Sequence, residues 1–124
     1  MAKILIVDDD LMLLKLYSEF LSKVGFEVLT AADADKGFDL AVARKPDLVL
    51  LDVMMPGVDG TQAHERLSQD PRTSGMKVVF LTSLVKEEEV AASGGNIGGL
   101  NYISKSTPKE EFVRRVREFI SGKK

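Results

Sequence analysis

Five short apolar runs recur along the chain, separated by longer segments in which apolar residues return every third or fourth position. The runs are Ile4-Leu5-Ile6-Val7, Val28-Leu29, Leu48-Val49-Leu50-Leu51, Val78-Val79-Phe80-Leu81, and Leu100 to Ile103 with Asn101 inside. Continuous rather than alternating apolar stretches suit strands covered on both faces, as in a parallel sheet. The segments between them predict helices. Asp10 is placed to cap the first, with Leu13, Leu16, Tyr17, Phe20, Leu21 and Val24 as its apolar stripe and Gly25 at its C-terminal turn. A second spans Ala34 to Ala43 and is stopped by Lys45-Pro46. A third, Gly60 to Gln69, offers only Ala63 and Leu67 as inward residues. In the last, Thr107-Pro108-Lys109-Glu110 reads as a capping box with proline at the first helical position, and Phe112, Val113, Val116, Phe119 and Ile120 make one apolar face.

Five β-α units in succession predict a doubly wound, flavodoxin-like α/β domain. Parallel neighbours need right-handed crossovers, which place helices on both faces of the sheet. The 124 residues are expected to form one domain, 1–124, since a closed eightfold barrel needs about twice that length. In open sheets with strand order 2-1-3-4-5, ligands sit outside the carboxyl ends of the strands, where the order reverses.

Composition removes several function classes. With 17 basic and 19 acidic residues and a net charge of −2, the balance argues against a nucleic-acid-binding surface, which usually shows as a strongly basic domain or stripe. It has no cysteine, hence no disulfide framework and no thiolate chemistry, and the cytoplasm is the expected compartment. The longest purely apolar runs, such as Leu48 to Leu51, are four residues long, too short for a membrane span or a signal-peptide core. His64 is the only histidine. It is expected to be exposed on the third helix, without a phosphotransfer role.

The strand ends carry the chemistry. After Val7 come Asp8, Asp9 and Asp10; after Leu51, Asp52; after Leu81, Thr82 and Ser83; after Ile103, Ser104 and Lys105. With the first strand central and the third beside it, Asp8, Asp9 and Asp52 converge. Three carboxylates so close cannot all stay ionised without a cation unless their pKa values rise sharply. A hard divalent ion with oxygen ligands answers this, and Mg²⁺ suits a site with few protein ligands and places left for water and phosphate. Thr82 supplies a hydroxyl and Lys105 a positive charge to an anion at the same place, so the set reads as a phosphoryl site.

These pieces resemble the receiver domain of bacterial two-component response regulators, of the chemotaxis-receiver type. The matching segments are Ile4 to Asp9, Leu50-Leu51-Asp52-Val53-Met54-Met55-Pro56-Gly57 with Asp59-Gly60, Leu81-Thr82-Ser83 and Tyr102-Ile103-Ser104-Lys105, and the likeness covers essentially the whole chain. It implies a phosphoacceptor domain in a phosphorelay, one that catalyses its own phosphorylation and dephosphorylation and is not an enzyme with a separate substrate. Asp52 would take the phosphoryl group from a sensor histidine kinase or a histidine phosphotransfer protein. Asp8, Asp9, Asp52 and the backbone carbonyl of Met54 would hold Mg²⁺, with Mn²⁺ a possible substitute. Thr82, Lys105 and Tyr102 would bind the phosphoryl group and relay the change to an output protein, through the surface made by the fourth helix, fifth strand and fifth helix. Asp59-Gly60 is expected to shape the loop after Asp52. No G-x-x-x-x-G-K-[ST] occurs and Gly94 to Gly99 does not fit G-x-G-x-x-G, so the phosphoryl group must arrive on a partner. With no output segment after residue 124, the plain expectation is a stand-alone receiver.

Three positions depart from the family pattern. Ser106 follows Lys105 where receivers usually carry proline after a cis bond, which at a non-proline residue costs about 2.5 to 4 kcal/mol; the loop is therefore expected to be trans and reshaped, or strained. Between Lys86 and Gly99, four glycines in the six positions 94 to 99 predict a short or irregular fourth helix. Met54 and Leu84, two residues after Asp52 and Thr82, are bulky and apolar, which in receivers implies slow self-dephosphorylation. Two other readings compete: a receiver-like protein-interaction scaffold without phosphotransfer, and a haloacid-dehalogenase-like phosphatase using Asp8 to Asp10. The second needs an acidic pair where the chain has Thr82-Ser83, and leaves Asp52 without a role.

Overall fold

A computed structural model describes residues 2–52, 54–55, 58–82, 96–97 and 100–121. In chain order the elements are β1 (Lys3–Val7), α1 (Leu11–Lys23), β2 (Glu27–Ala31), α2 (Ala34–Arg44), β3 (Leu48–Asp52), β4 (Met54–Met55), β5 (Val58–Asp59), α3 (Gly60–Gln69), β6 (Lys77–Thr82), β7 (Asn96–Ile97), β8 (Leu100–Ser104) and α4 (Lys109–Ser121). The main sheet runs β2-β1-β3-β6-β8-β7. Its five longer strands are parallel, with registers Ile4↔Val28, Ile4↔Leu48, Leu48↔Lys77 and Phe80↔Tyr102. They realise the 2-1-3-4-5 order and the doubly wound, flavodoxin-like arrangement. α4 is the helix read from the sequence as the fifth. The fourth, between Lys86 and Gly99, falls outside the described residues, as does Leu84.

β7 was not foreseen. Asn96 and Ile97 pair antiparallel with Asn101 and Leu100 and add a short sixth strand at the edge. Gly98-Gly99, the residue types that favour two-residue hairpin connections, lie between the paired positions.

Period-two alternation in β1 and β3 splits the core between the two sheet faces. Ile4, Ile6, Leu48 and Leu50 pack under α1 and α4 with Leu14, Tyr17, Phe20, Leu21, Phe112 and Val116. Leu5, Val7, Val49 and Leu51 pack under α2 and α3 with Ala41, Ala63 and Leu67. The first layer is held by rings: Tyr17 stacks on Phe112 with centroids 4.7 Å apart, and Phe20 meets both edge-on. The second achieves closeness by omission. A Cβ on Gly37 would lie 2.7 Å from Cγ2 of Val7, so α2 rests directly on β1.

The helix ends follow the sequence with two corrections. Asp10 caps α1, accepting from the Met12 and Leu13 amides at 3.1 and 3.2 Å, and Gly25, at φ +102°, takes the left-handed turn after it. Within α1, however, Leu14 is buried while Leu16 is 58% exposed and Val24 38%. A run of neighbouring leucines leaves the helix phase ambiguous, and the aromatic cluster around Tyr17 and Phe20 sets it. At α4 the capping box does not form as read. Helix hydrogen bonding starts one residue later, with the Phe112 amide donating to the Pro108 carbonyl at 2.8 Å, while the Thr107 amide donates to the Ser104 carbonyl at 3.1 Å. The turn after β8 has taken Thr107.

Candidate phosphoryl-transfer site

The carboxyl ends of β1, β3, β6 and β8 meet at the point where strand order reverses, and the polar residues that end them converge. Asp8 is fully buried and Asp52 is 5% exposed, whereas Asp9 is open to solvent. One carboxylate oxygen from each of the three lies within 4.8 Å of the others. Asp8 is held by its neighbours: its amide donates to the Ala31 carbonyl at 3.0 Å, and its Oδ1 accepts from the Asp10 amide at 2.9 Å. Asp10 itself is committed to capping α1 and turns away from the cluster's chemistry.

Lys105 closes the group from β8. Its Nζ lies 2.9 Å from Asp8 Oδ2 and 3.5 Å from Asp52 Oδ1. Burial pulls this ammonium's pKa down, but the charges and hydrogen-bonding capacity of Asp8, and secondarily of Asp52, outweigh it and leave the pKa raised. The contact with Asp8 Oδ2 is an ion pair rather than an aligned hydrogen bond: that buried oxygen receives no well-directed donor. Among the described residues the site thus gathers three carboxylates around one ammonium, with Asp8 Oδ2 lacking an aligned donor, an arrangement that fits a hard divalent cation with oxygen ligands.

The remaining strand-end residues surround this cluster. Thr82 is buried at the end of β6, and its carbonyl accepts from the Lys105 amide at 2.7 Å. Tyr102 is half-buried on β8, its ring 5.3 Å from that of Phe80. β4 and β5 form a short antiparallel hairpin, Met54 opposite Asp59, directly after Asp52, so Asp59-Gly60 stands where the chain turns into α3. The side chains of Met54 and Asp59 lie outside the described residues. His64 is half-buried rather than exposed, because its ring lies beside that of Phe80, with centroids 5.5 Å apart.

Two features of the site were not read from the sequence. The first is Tyr17, whose hydroxyl is pushed up to about 12, by burial first and by the Asp8 charge second. Nothing in its spacing separates it from other inward residues of α1. The second is the turn around Lys105. Every peptide bond among the described residues is trans. The Ser104 and Ser106 hydroxyls lie 2.8 Å apart, and the Ser106 amide donates to Ser104 Oγ at 3.2 Å. Two serines flanking the lysine were visible, but the contact between them needed coordinates.

Comparison with known proteins agrees with this geometry. The family model described as response regulator receiver domain matches residues 4–117. The chain is 39% identical over 120 residues to the DNA-binding dual master transcriptional regulator RpaA of Synechocystis sp., covering 97% of this chain and 49% of that protein. It is 34% identical over 122 residues to protein PilH of Pseudomonas aeruginosa, covering 98% of this chain and all of that one. Among solved structures, a CheY-like receiver domain protein from Methanospirillum hungatei superposes with a TM-score of 0.81 at 28% identity, over 98% of this chain and 95% of that one. Chemotaxis protein CheY4 of Vibrio cholerae does so at 0.80 and 25% identity, over 96% and 98%. Against relatives such as RpaA the chain spans about half their length, whereas it matches the whole of PilH.

Proposed function

The chain belongs to the response regulator receiver domain family, and on that premise we propose that residues 1–124 act as a phosphorylatable switch with Asp52 as phosphoacceptor. The observation that carries this reading is the convergence of Asp8, Asp9 and Asp52 within 4.8 Å, with Lys105 reaching into the group. Asp8, Asp9, Asp52 and the Met54 carbonyl would hold Mg²⁺, which when bound supplies charge neutralisation for the incoming phosphoryl group.

The chain's own residues then have distinct tasks. An Asp52 carboxylate oxygen bonds to phosphorus as the phosphorus–nitrogen bond of a phosphohistidine donor breaks, and the electron pair of that bond stays with the imidazole. Such a transfer is mostly positioning and charge stabilisation. Asp8, locked by the Asp10 amide, keeps its carboxylate fixed. Lys105 swings from its carboxylate partners to a phosphoryl oxygen, and the Thr82 hydroxyl donates to another. The Tyr102 ring, packed on Phe80, responds to the movement at Thr82 and carries it toward the partner-facing surface. Bulky Met54 and Leu84 hinder water and lengthen the acyl phosphate's life. The donor is a histidine kinase or histidine phosphotransfer protein.

Incubation with Mg²⁺ and a small phosphodonor such as phosphoramidate tests the assignment by intact mass. The wild-type protein is expected to gain one phosphoryl group, and Asp52→Asn to gain none. A gain retained in Asp52→Asn but lost in Asp8→Asn would instead support a phosphatase-type nucleophile, although Asp8 is fully enclosed and Asp10 is occupied as a cap. No gain at all would support a scaffold.

A further inference from the structure

We infer that the Ser104–Ser106 hydroxyl pair positions Lys105 over Asp8 and Asp52, doing with side-chain hydrogen bonds in a trans loop what a proline ring would do by covalent constraint. The inference rests on the phosphoacceptor reading of Asp52. Four contacts among the described residues hold the turn. The Lys105 amide is tied to the Thr82 carbonyl at 2.7 Å and the Thr107 amide to the Ser104 carbonyl at 3.1 Å. The two hydroxyls meet at 2.8 Å, and the Ser106 amide donates to Ser104 Oγ at 3.2 Å.

The result is a small ring closed around Lys105. Ser104 is the buried anchor, 1% exposed, and it ends β8 in register with Thr82. Ser106 is the exposed member, so changing its side chain leaves the core intact. The lysine between them has four rotatable side-chain bonds and loses much freedom when its ammonium is held 2.9 Å from Asp8. Fixing its backbone on both sides reduces what remains to be ordered. Hydroxyl pairs of this kind compete locally with regular backbone structure and favour turns, which also accounts for the late start of α4.

A positioning role predicts a pattern that lost stability would not produce. Ser106→Ala is expected to slow phosphoramidate-driven phosphorylation of Asp52 at saturating Mg²⁺ and donor by about tenfold, within the roughly hundredfold that a 1 Å misplacement costs. Its thermal midpoint should stay unchanged, and Ser106→Thr, which keeps the hydroxyl, should recover the rate. In a Ser104→Ala background, Ser106→Ala should have no further effect, as for two groups acting as one. A second readout needs no phosphotransfer: the Lys105 ammonium signal in NMR should broaden or vanish in Ser106→Ala and return in Ser106→Thr. A wild-type rate in Ser106→Ala, a slowed rate with an undisturbed ammonium signal, or additive effects of the two serines would each overturn the inference. If the wild-type protein takes up no phosphoryl group, the phosphoacceptor reading falls, while the ammonium signal still decides whether the serine pair aims Lys105.

Discussion

The two ends of the sheet handle charge in opposite ways. At the amino ends, charged side chains meet at the surface. The Lys3 amide donates to Asp47 Oδ2 at 2.7 Å, the Lys3 ammonium to the Arg44 carbonyl at 2.9 Å, and Glu27 pairs with Arg44 and Asp70 with Arg72, at 2.9 and 2.8 Å. These contacts are near water, and each is worth little on its own. At the carboxyl ends, Asp8 and Asp52 are buried beside one partly buried lysine, and Asp8 Oδ2 receives no aligned donor. The first end is what a stable fold produces by default. The second concentrates like charge out of water, which costs stability unless it is balanced, and it is the end the proposed phosphoryl transfer would use.

The strongest way to break this contrast is to remove Lys105 from the buried end. In metal-free buffer, Lys105→Ala should lower unfolding stability by about 3 kcal/mol, because two buried carboxylates lose the ammonium that lies against both. Asp8→Asn should do the reverse and raise it, since of the two buried carboxylates only Asp52 then lies against that ammonium. Urea denaturation checks both, and a stabilised Lys105→Ala would show that the site is not strained by its carboxylates.

A smaller effect separates packing from charge at the same end. Gly37→Ala places a methyl group 2.7 Å from Val7 Cγ2, next to Asp8. Overpacking of this kind typically costs 1–3 kcal/mol, and about 2 kcal/mol is expected here by urea denaturation. Unlike the charge variants, its cost should not change with ionic strength.

The smallest effect belongs to the amino end. Hydrogen bonds from the Arg72 side chain and then its amide hold the Asp70 carboxyl at about 2, against an ordinary 3.8. A depressed folded-state value means the contribution to stability is complete above pH 3.8 and is lost as pH falls through about 2. Following the Asp70 carboxyl signal by NMR should show this low midpoint, and Arg72→Ala should return it toward the ordinary value. The accompanying change in stability should be slight and should shrink in salt, as expected of a pair in contact with solvent. An Asp70 midpoint near the ordinary value in the intact protein would remove this example from the comparison.

Much of the fold was legible because its signals are local. Four-residue apolar runs named the strands under β1, β3 and β6, Asp10 and Gly25 marked the ends of α1, and Ala63 and Leu67 identified the inward side of α3. The misreadings came where several residues of one type compete or where a distant contact decides. Leu13, Leu14 and Leu16 offered more than one phase for α1, and packing of Tyr17 and Phe20 against Phe112 chose among them. Thr107 has the right neighbours for a capping box, yet the turn from Ser104 claimed its amide. His64 looked solvated because its own helix is polar, and the ring of Phe80 beside it covered it.

By itself, the sequence determined the layered architecture and the identity of the charged groups at the strand ends, because burial periodicity and the parallel crossover rule depend only on residue order. It also determined that Asp8, Asp9 and Asp52 would meet, since adjacent parallel strands in register bring their ends together. Only the tertiary structure decided how that charge is balanced: that Lys105 lies closer to Asp8 than to Asp52, that one oxygen of Asp8 is left without an aligned donor, and that Ser104 and Ser106 close the turn behind the lysine. Those outcomes depend on distances of a few ångströms between residues far apart in the chain, and electrostatic and hydrogen-bond energies change steeply over that range.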